Sequence, residues 1–301
     1  MNSVIEINKE GISISVSKGF LLVKCEAQED KIPLTEIESL IIYSYGAYIS
    51  NKAIMRLGEQ GVPIVHCGQN AIPCAITLPY GANVYRKDRI ELQINSSLPL
   101  KKQLWQKVIK AKIRNQAAVL NLFGCKHQDL LLMADKVQSG DVGNLEAVAA
   151  RAYWERLFGK GFKRNPDLPG INGFLNYGYA IIRASMCRAI VASGLIPELG
   201  IHHHNQMNPY CLADDLMEPF RPYIDLCIKS QGITDNSPLT TNDKKRLVGL
   251  LDLSIKCRNE NTHIRNCIQD CVTEFVQSLT SKKADVIFPA IDKEALNSLL
   301  Q

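Results

Sequence analysis

The sequence predicts an α+β protein in which a small amino-terminal β-rich domain precedes a larger, all-helical domain. The first 80 residues carry the short hydrophobic period of strands, whereas the remainder repeats apolar residues every three or four positions, as helices do. Proline and glycine stand where the pattern changes, at Pro79 and Gly81. With 301 residues available, we expect a β-rich domain over 1–80, a linker over 81–97 and a helical domain over 98–301.

The β-rich part is predicted from short apolar or alternating runs with one helix between them. Residues 51–60 have helical spacing and stop before Gly61. The strand-like runs are 12–16, 20–23, 37–43, 63–66 and 75–78. A domain of about 80 residues is within the ordinary size range for such an arrangement.

The helical part begins in a strongly basic segment. Between Arg86 and Arg114, nine basic residues face two acidic ones, a local charge of +7 in a chain whose net charge is +5, so the rest of the chain sums to −2. Concentrated positive charge on a nearly neutral body is typical of proteins that bind a phosphate backbone. A solvated helix face is the alternative explanation of the charge alone.

Composition excludes several classes of protein. A chain with 46% hydrophobic and 22% charged residues is typical of globular proteins. Charged residues near the amino terminus (Glu6, Lys9, Glu10) exclude a signal peptide, and no apolar run is long enough for a membrane span. The ten cysteines form no C-x-x-C pair, which favours reduced thiols over a disulfide framework. We therefore expect a cytoplasmic protein without a membrane partner.

The densest group of metal-capable side chains lies in residues 200–222. Three of the six histidines are consecutive at 202–204, and Asp215 and Glu218 follow with a spacing of three that puts both on one helical face. Two carboxylates and one imidazole suit Mg²⁺ or Mn²⁺. Two alternatives stay open: acidic residues at a helix start beside surface histidines, and a zinc site that includes Cys211.

A second candidate is Glu146, which opens an alanine-rich helix. By itself it is also compatible with an ordinary carboxylate in a first helical turn. Residues 175–180 combine tyrosines with an amide, a pattern that favours core packing over a nucleic-acid groove. The sequence has no Gly-x-Ser-x-Gly, phosphate-binding loop or Gly-x-Gly-x-x-Gly, so a protein nucleophile or a nucleotide fold is not indicated.

Taken together, these segments resemble the CRISPR-associated spacer-acquisition integrase, the universal nuclease of CRISPR adaptation, in its type II form. Four segments carry the resemblance in the family's order, and residues 32–40 resemble its amino-terminal domain. The four are Glu146-Ala147 with Tyr153-Trp154, then Leu175-Asn176-Tyr177-Gly178-Tyr179-Ala180, then Gly200-Ile201-His202-His203, then Leu212-Ala213-Asp214-Asp215-Leu216-Met217-Glu218-Pro219-Phe220-Arg221-Pro222.

The resemblance implies an antiviral-defence enzyme with a magnesium or manganese site made by Glu146, His203 and Glu218. His203 is the third residue after Gly200, with His202 and His204 as neighbouring alternatives, and Asp215 takes a supporting catalytic role. The implied reaction inserts short DNA into a CRISPR array by attack of a 3′-hydroxyl on the repeat phosphodiester. Basic side chains would hold the DNA backbone; the candidates are Arg86, Lys87, Arg89, Lys101, Lys102, Lys107, Lys110, Lys163 and Arg164.

The resemblance also implies partners in a prokaryotic cytoplasm. These are double-stranded DNA with 3′ overhangs, CRISPR repeat DNA, a second copy of the chain in a homodimer formed through the β-rich domain, and a small acquisition protein that completes a larger hetero-oligomer. Two competing functions are a non-catalytic DNA-binding scaffold and a plain hydrolytic DNase. The scaffold would not need Glu146, His203 and Glu218, and the DNase would cut DNA without joining it.

Overall fold

The computed structural model describes residues 3–26, 28–68, 73–77, 85–258 and 260–300. The chain divides into two compact units: the first comprises Met1–Glu91 with Cys187–Ile196, and the second Leu92–Met186 with Pro197–Gln301. Residues 78–84, which include the predicted domain boundary and the start of the predicted linker, lie outside the described residues.

Up to Thr77, the described residues of the first unit form two four-stranded sheets and an α-helix. One sheet has the order β1 (Ser3–Ile7), β5 (Ile37–Ile42), β7 (Ile64–Cys67) and β8 (Pro73–Thr77), parallel except for its last pair. The other has the order β4 (Gln28–Pro33), β3 (Phe20–Cys25), β2 (Ser13–Ser17) and β6 (Tyr48–Ile49). The helix α1 spans Asn51–Glu59. The prediction of a strand-rich amino-terminal region with one helix is confirmed.

Alternation along the strands builds the core of this unit. In β2, Ile14 and Val16 are buried while the residues between them are more exposed, as the two-residue period of a half-buried strand requires. Leu57 of α1 joins the same hydrophobic cluster. The hydroxyl of Ser50 accepts a hydrogen bond from the Ala53 amide, which caps the start of α1.

The carboxyl-terminal part is predominantly helical. After α2 (Arg86–Ile94), the helices are α3 (Leu98–Leu122), α4 (Gln128–Lys136), α5 (Leu145–Phe158), α6 (Ile171–Ala192), α7 (Cys211–Met217), α8 (Arg221–Ser230), α9 (Thr241–Gly249), α10 (Ile264–Ser281) and α11 (Lys293–Leu300). Among the described residues, no helix is both long enough and apolar enough to cross a bilayer.

One expectation for this part needs correction. An antiparallel hairpin of β9 (Ser254–Cys257) and β10 (Glu260–His263) interrupts the helices, so the part is not all-helical. Ile255 and Cys257 on β9 are buried, but a four-residue strand is too short for its period to stand out in the sequence. The helix α2 lies within the stretch predicted as a linker, and its apolar residues Ile90, Leu92 and Ile94 stand two positions apart, which is not the spacing that identifies a helix.

The long helix α3 organises the second unit. It is capped by Ser97, whose hydroxyl accepts from the Leu100 amide, and it packs against α4, α5 and α8. The buried side of α3 is apolar except for a few polar side chains, Lys112 among them. Because residues three and four apart share a helix face, Trp105, Val108, Ile109 and Lys112 point to the same side. A buried lysine on that side needs an anionic partner.

Candidate metal centre

The four predicted site residues come from three segments of the second unit. Glu146 lies in the first turn of α5, and His203 lies in the loop before α7. Asp215 is on α7, and Glu218 begins the one-turn 3₁₀ helix that follows it. All seven residues of α7 are buried, as is Glu218, so both carboxylates face the interior of this unit.

The Lys112 ammonium lies between two of these carboxylates. Its Nζ atom is 2.5 Å from Glu146 Oε1 and 2.6 Å from Glu218 Oε2, and the lysine side chain is only 11% exposed. Burial by itself would lower the pKa of Lys112, but the Glu218 and Glu146 carboxylates outweigh burial and hold that pKa above its ordinary value. A protonated lysine therefore joins the start of α5 to the end of α7.

Glu218 has a second cationic neighbour besides Lys112. Arg221 Nε lies 3.0 Å from Glu218 Oε1, and the buried Oε2 lies 2.6 Å from the Lys112 ammonium. Burial favours the neutral acid, yet Arg221 and Lys112 lower the pKa of Glu218 below its usual value. The side chain is therefore an ionised carboxylate that faces two cations.

Asp215 holds the histidine loop. One carboxylate oxygen accepts the amide hydrogens of Ile201 (2.7 Å) and His202 (3.0 Å). The other accepts from the His203 amide (3.2 Å) and lies 2.6 Å from His203 Nδ1. The hydrogen bond to Asp215 raises the pKa of His203 above its ordinary value. With Nδ1 as the donor, Nε2 is left as the acceptor nitrogen, the arrangement common for metal-binding histidines.

The three consecutive histidines have different surroundings. His202 stacks on the buried ring of Trp105, with centroids 4.1 Å apart and planes inclined by 2°, and burial lowers its pKa. His203 meets the same indole edge-on and is fixed by Asp215. His204 lines a pocket together with Lys101 and Met207. Of the three rings, His203 is the one whose orientation a carboxylate fixes.

The chemistry of these side chains fits a hard divalent cation, but their arrangement places an ammonium between the carboxylates. Among the residues that the structure describes, no three His, Cys, Asp or Glu side chains converge in a geometry that would hold a metal ion. The donor set is nonetheless chemically suitable for Mg²⁺ or Mn²⁺, since it consists of the Glu146 and Glu218 carboxylates and the His203 imidazole that Asp215 orients. Occupation of the site requires the Lys112 ammonium to move.

The zinc alternative would use Cys211 as its sulfur ligand. Cys211 is buried, and its Sγ contacts the backbone carbonyl oxygens of Asn205 (3.6 Å) and Asn208 (3.3 Å). The thiol is thus directed at the loop backbone, which does not favour this alternative. The neighbouring Asp214 is paired with Arg183, at 2.7 Å from Nε.

A buried polar network supports Glu218 through Arg221. Asp225 accepts hydrogen bonds from the hydroxyls of Tyr153 (2.9 Å) and Tyr179 (2.5 Å). The guanidinium of Arg221 stacks over the Tyr179 ring at 4.7 Å and pairs with Glu218. This arrangement agrees with the interpretation of residues 175–180 as core, because Tyr179 is 5% exposed. The network fixes Arg221 and, through it, Glu218.

The buried carboxyl of Asp225 leads to a pH-dependent prediction. Burial raises its pKa to about 7, against the opposing effect of both tyrosine hydroxyls, Arg221 and Arg164. The folded state therefore keeps this proton up to about pH 7, whereas the unfolded chain releases it near its ordinary value. The contribution of Asp225 to the free energy of unfolding is therefore largest at low pH and is lost as the pH rises through about 7. Between pH 8 and pH 5, we expect the free energy of unfolding to rise by roughly 2 to 3 kcal/mol more in the parent chain than in Asp225→Asn.

Urea unfolding at a series of pH values measures that difference. Other titrating groups are common to both chains and cancel in the comparison. A parent and variant whose unfolding free energies differ by a constant amount across the range would show that Asp225 does not titrate there.

Gly200 allows the close approach of the loop to Asp215. A Cβ atom added at Gly200 would lie 2.5 Å from the His203 carbonyl oxygen and 2.8 Å from Asp215 Oδ2. Because the first of these is backbone, the loop would have to shift. We expect Gly200→Ala to displace the loop that carries His203 and to lower the free energy of unfolding by roughly 1 to 3 kcal/mol. Gly249, where an added Cβ meets nothing within 4 Å, provides the matched Gly→Ala control in the same unfolding assay.

The predicted DNA-binding residues differ in their exposure to solvent and in the partners of their charged groups. Lys87, Lys102 and Lys163 are exposed, although Lys87 lies 3.8 Å from Glu91. Arg164 donates to Asn172 and Asn176 and is partly buried. The rest are partly exposed: Arg86 and Arg89 on α2, and Lys101, Lys107 and Lys110 on α3. Arg89 donates to the Ser193 carbonyl oxygen, and Lys107 lies 3.5 Å from Asp285.

Sequence reasoning missed the side chains that surround the predicted ligands. In the sequence, Lys112 is one of the nine basic residues between Arg86 and Arg114, and Trp105 lies in the same segment. One signal was available: Lys112 falls four positions after Val108 on the apolar face of a helix, where a charge is rarely tolerated unpaired. Nothing in the sequence assigns it to Glu146 and Glu218, which are 34 and 106 positions away.

Comparison with known proteins identifies a family that this chain matches. A family model described as CRISPR associated protein Cas1 matches residues 5–231. The CRISPR-associated endonuclease Cas1 of Neisseria meningitidis serogroup C (strain 8013) is 36% identical, over 92% of this chain and 92% of its own. A solved casposase bound to integration product has a TM-score of 0.70 and 22% identity, covering 100% of this chain and 98% of that one. A Cas6-RT-Cas1–Cas2 complex has a TM-score of 0.71 and 17% identity, covering 97% of this chain and 36% of that one. The two solved structures share the fold of this chain.

Proposed function

This chain belongs to the family of CRISPR-associated protein Cas1, and we propose that it is a divalent-metal-dependent DNA endonuclease and integrase of CRISPR adaptation. The relative from Neisseria meningitidis is named an endonuclease, and the casposase of the same fold was solved with integration product. The observation that carries the proposal is the meeting of Glu146 and Glu218 around one buried cationic group. A non-catalytic scaffold has no need of this arrangement.

We propose that Glu146, His203 and Glu218 hold Mg²⁺ or Mn²⁺. Such a cation, when bound, would act as a Lewis acid on the phosphate and align the attacking and leaving oxygens. Asp215 would fix the ring and tautomer of His203 through its contact with Nδ1. Arg221 would keep Glu218 ionised and oriented, since its guanidinium is itself held over Tyr179.

The proposed reaction is a transesterification without a protein nucleophile. The 3′-hydroxyl oxygen of a short DNA fragment forms a bond to a repeat phosphorus, the bridging P–O3′ bond of the repeat breaks, and its oxygen leaves as a new 3′-hydroxyl after proton transfer. With water as the attacking group, the same site cuts DNA. Basic side chains along α2 and α3 would contact phosphates, which gives salt-dependent affinity with little sequence preference.

The proposal includes partners. We propose that the substrates are double-stranded DNA with 3′ overhangs and CRISPR repeat DNA, and that the strand-rich amino-terminal region forms a homodimer in the cytoplasm. A small acquisition protein would complete a larger assembly, which the solved Cas6-RT-Cas1–Cas2 complex of the same fold supports.

Strand transfer tests this function directly. A short duplex with 3′ overhangs is incubated with a supercoiled plasmid that carries a CRISPR repeat, with the partner protein present and with Mn²⁺, Mg²⁺ or a chelator. Metal-dependent joining is the expected result. Cutting without joining would favour a plain DNase, and DNA binding with neither cutting nor joining would favour the scaffold.

A further inference from the structure

Lys112 fills the position that the two proposed carboxylate ligands would offer a metal ion. Its ammonium lies 2.5 Å from Glu146 Oε1 and 2.6 Å from Glu218 Oε2. Nothing in the comparisons assigns this lysine a role. Lys112 lies on the apolar face of α3, where the residue as a whole is 8% exposed. The two carboxylates are thus the partners that compensate the burial of its charge.

The local charges show why this ammonium opposes metal binding. Lys112 and Arg221 together carry two positive charges, and Glu146 and Glu218 carry two negative ones. These four charges sum to zero, so the group attracts a divalent cation only weakly while Lys112 stays in place. The nearby Asp215 carboxylate adds a negative charge, but four donors already occupy its oxygens.

The same ammonium also explains how the site stays assembled without metal. Two carboxylates brought close together repel each other, and one of them, Glu218, is 5% exposed and poorly hydrated. A lysine between them removes the repulsion. Its four-carbon stem has several rotatable bonds and its charge has no fixed hydrogen-bonding plane, which favours displacement by rotation of the side chain. Arginine, with a rigid planar group, would be harder to displace.

We infer that Lys112 is a resident counter-ion: its ammonium holds Glu146 and Glu218 together in the metal-free protein and is displaced when a divalent cation binds. This inference rests on the proposed metal site and adds a positioning residue that sets the affinity for the metal. Glu218 Oε2, which lies 2.6 Å from the Lys112 ammonium, is the oxygen that the displacement would release.

Neutral variants of Lys112 separate this role from a purely structural one. We expect Lys112→Met and Lys112→Gln to lower the melting temperature of the metal-free, full-length protein by roughly 5 °C, because Glu218 loses one of two buried partners. We also expect the dissociation constant for Mn²⁺, measured by calorimetry without DNA, to fall about tenfold, because a competing positive charge has been removed. A structural lysine would lower stability without tightening Mn²⁺ binding.

The control is Lys136→Met, which removes an exposed lysine from α4 and is expected to leave the Mn²⁺ affinity unchanged. Acetylation of Lys112 in the unaltered protein, followed by mass spectrometry, needs no variant: Mn²⁺ should increase its reactivity severalfold if the ammonium is displaced. Unchanged or weaker Mn²⁺ binding in the neutral variants, or acetylation that does not respond to Mn²⁺, would overturn the inference. If the unaltered chain and all variants fail to bind Mn²⁺, the proposed metal site itself is wrong.

Discussion

Strand joining that depends on a divalent metal should fall by about a hundredfold or more in each of three variants, Glu146→Ala, His203→Ala and Glu218→Gln. Loss of a metal ligand should reduce activity at least as much as loss of the group that orients that ligand. Each change removes one of only three proposed donors. Glutamine is the better choice at Glu218 because that side chain is buried between Lys112 and Arg221. Alanine there would leave two cations close together without a counter-charge.

The three variants differ in what else they disturb. Glu146 and His203 have side chains 29% and 44% exposed, but Glu146→Ala also removes one of the two carboxylates that pair with the buried Lys112 ammonium. We therefore expect Glu146→Ala to lower the melting temperature, by roughly 5 °C at most, and His203→Ala to lower it less. The basic residues of α2 and α3 are untouched, and binding of double-stranded DNA at fixed salt should be retained. The measurement is the strand-transfer rate across a Mn²⁺ series, with DNA affinity and melting temperature as controls. Joining at the parent rate in any one variant would remove that residue from the ligand set.

The fold and the family were largely predictable because they depend on local patterns. Alternation along β2, the compact apolar run of β3 and the three-to-four-residue period from α3 onward identify the strand-rich start and the helical remainder. The structure confirms both. The resemblance carried by residues 200–222 is confirmed by the family match. The hairpin of β9 and β10 was missed, since two four-residue strands within a helical context leave no extended period to detect.

The surroundings of the candidate site were less predictable because they depend on distant contacts. Glu146, His203 and Glu218 remain a prediction as metal ligands, although the structure brings Glu146 and Glu218 to one ammonium. The hydrogen bonds of Tyr153 and Tyr179 to Asp225 join residues 72 and 46 positions apart. Residue type and spacing can nominate a carboxylate or an imidazole, but they cannot show which cation it faces.

Asp215→Ala is expected to have the second-largest effect, and it separates a positioning role from direct metal contact. Asp215 is fully buried, and its two oxygens accept from three successive amides and from the His203 ring. Removal of the carboxylate leaves those donors without an acceptor, so we expect a loss of roughly 3 kcal/mol in the free energy of unfolding. Freed from Nδ1, His203 can rotate and change tautomer, and we expect the Mn²⁺ concentration for half-maximal joining to rise by roughly 10- to 100-fold.

The adjacent Asp214 provides the matched control. It is also a buried acidic residue of α7, but its oxygens bind Arg183 and Asn208 and not the amides of residues 201–203. Asp214→Ala should therefore destabilise the protein without a large change in Mn²⁺ requirement. Saturating Mn²⁺ should restore much of the joining activity of Asp215→Ala, because the three proposed ligands are still present. If both variants show the same Mn²⁺ requirement, then Asp215 acts only through stability, and the orientation of His203 does not depend on it.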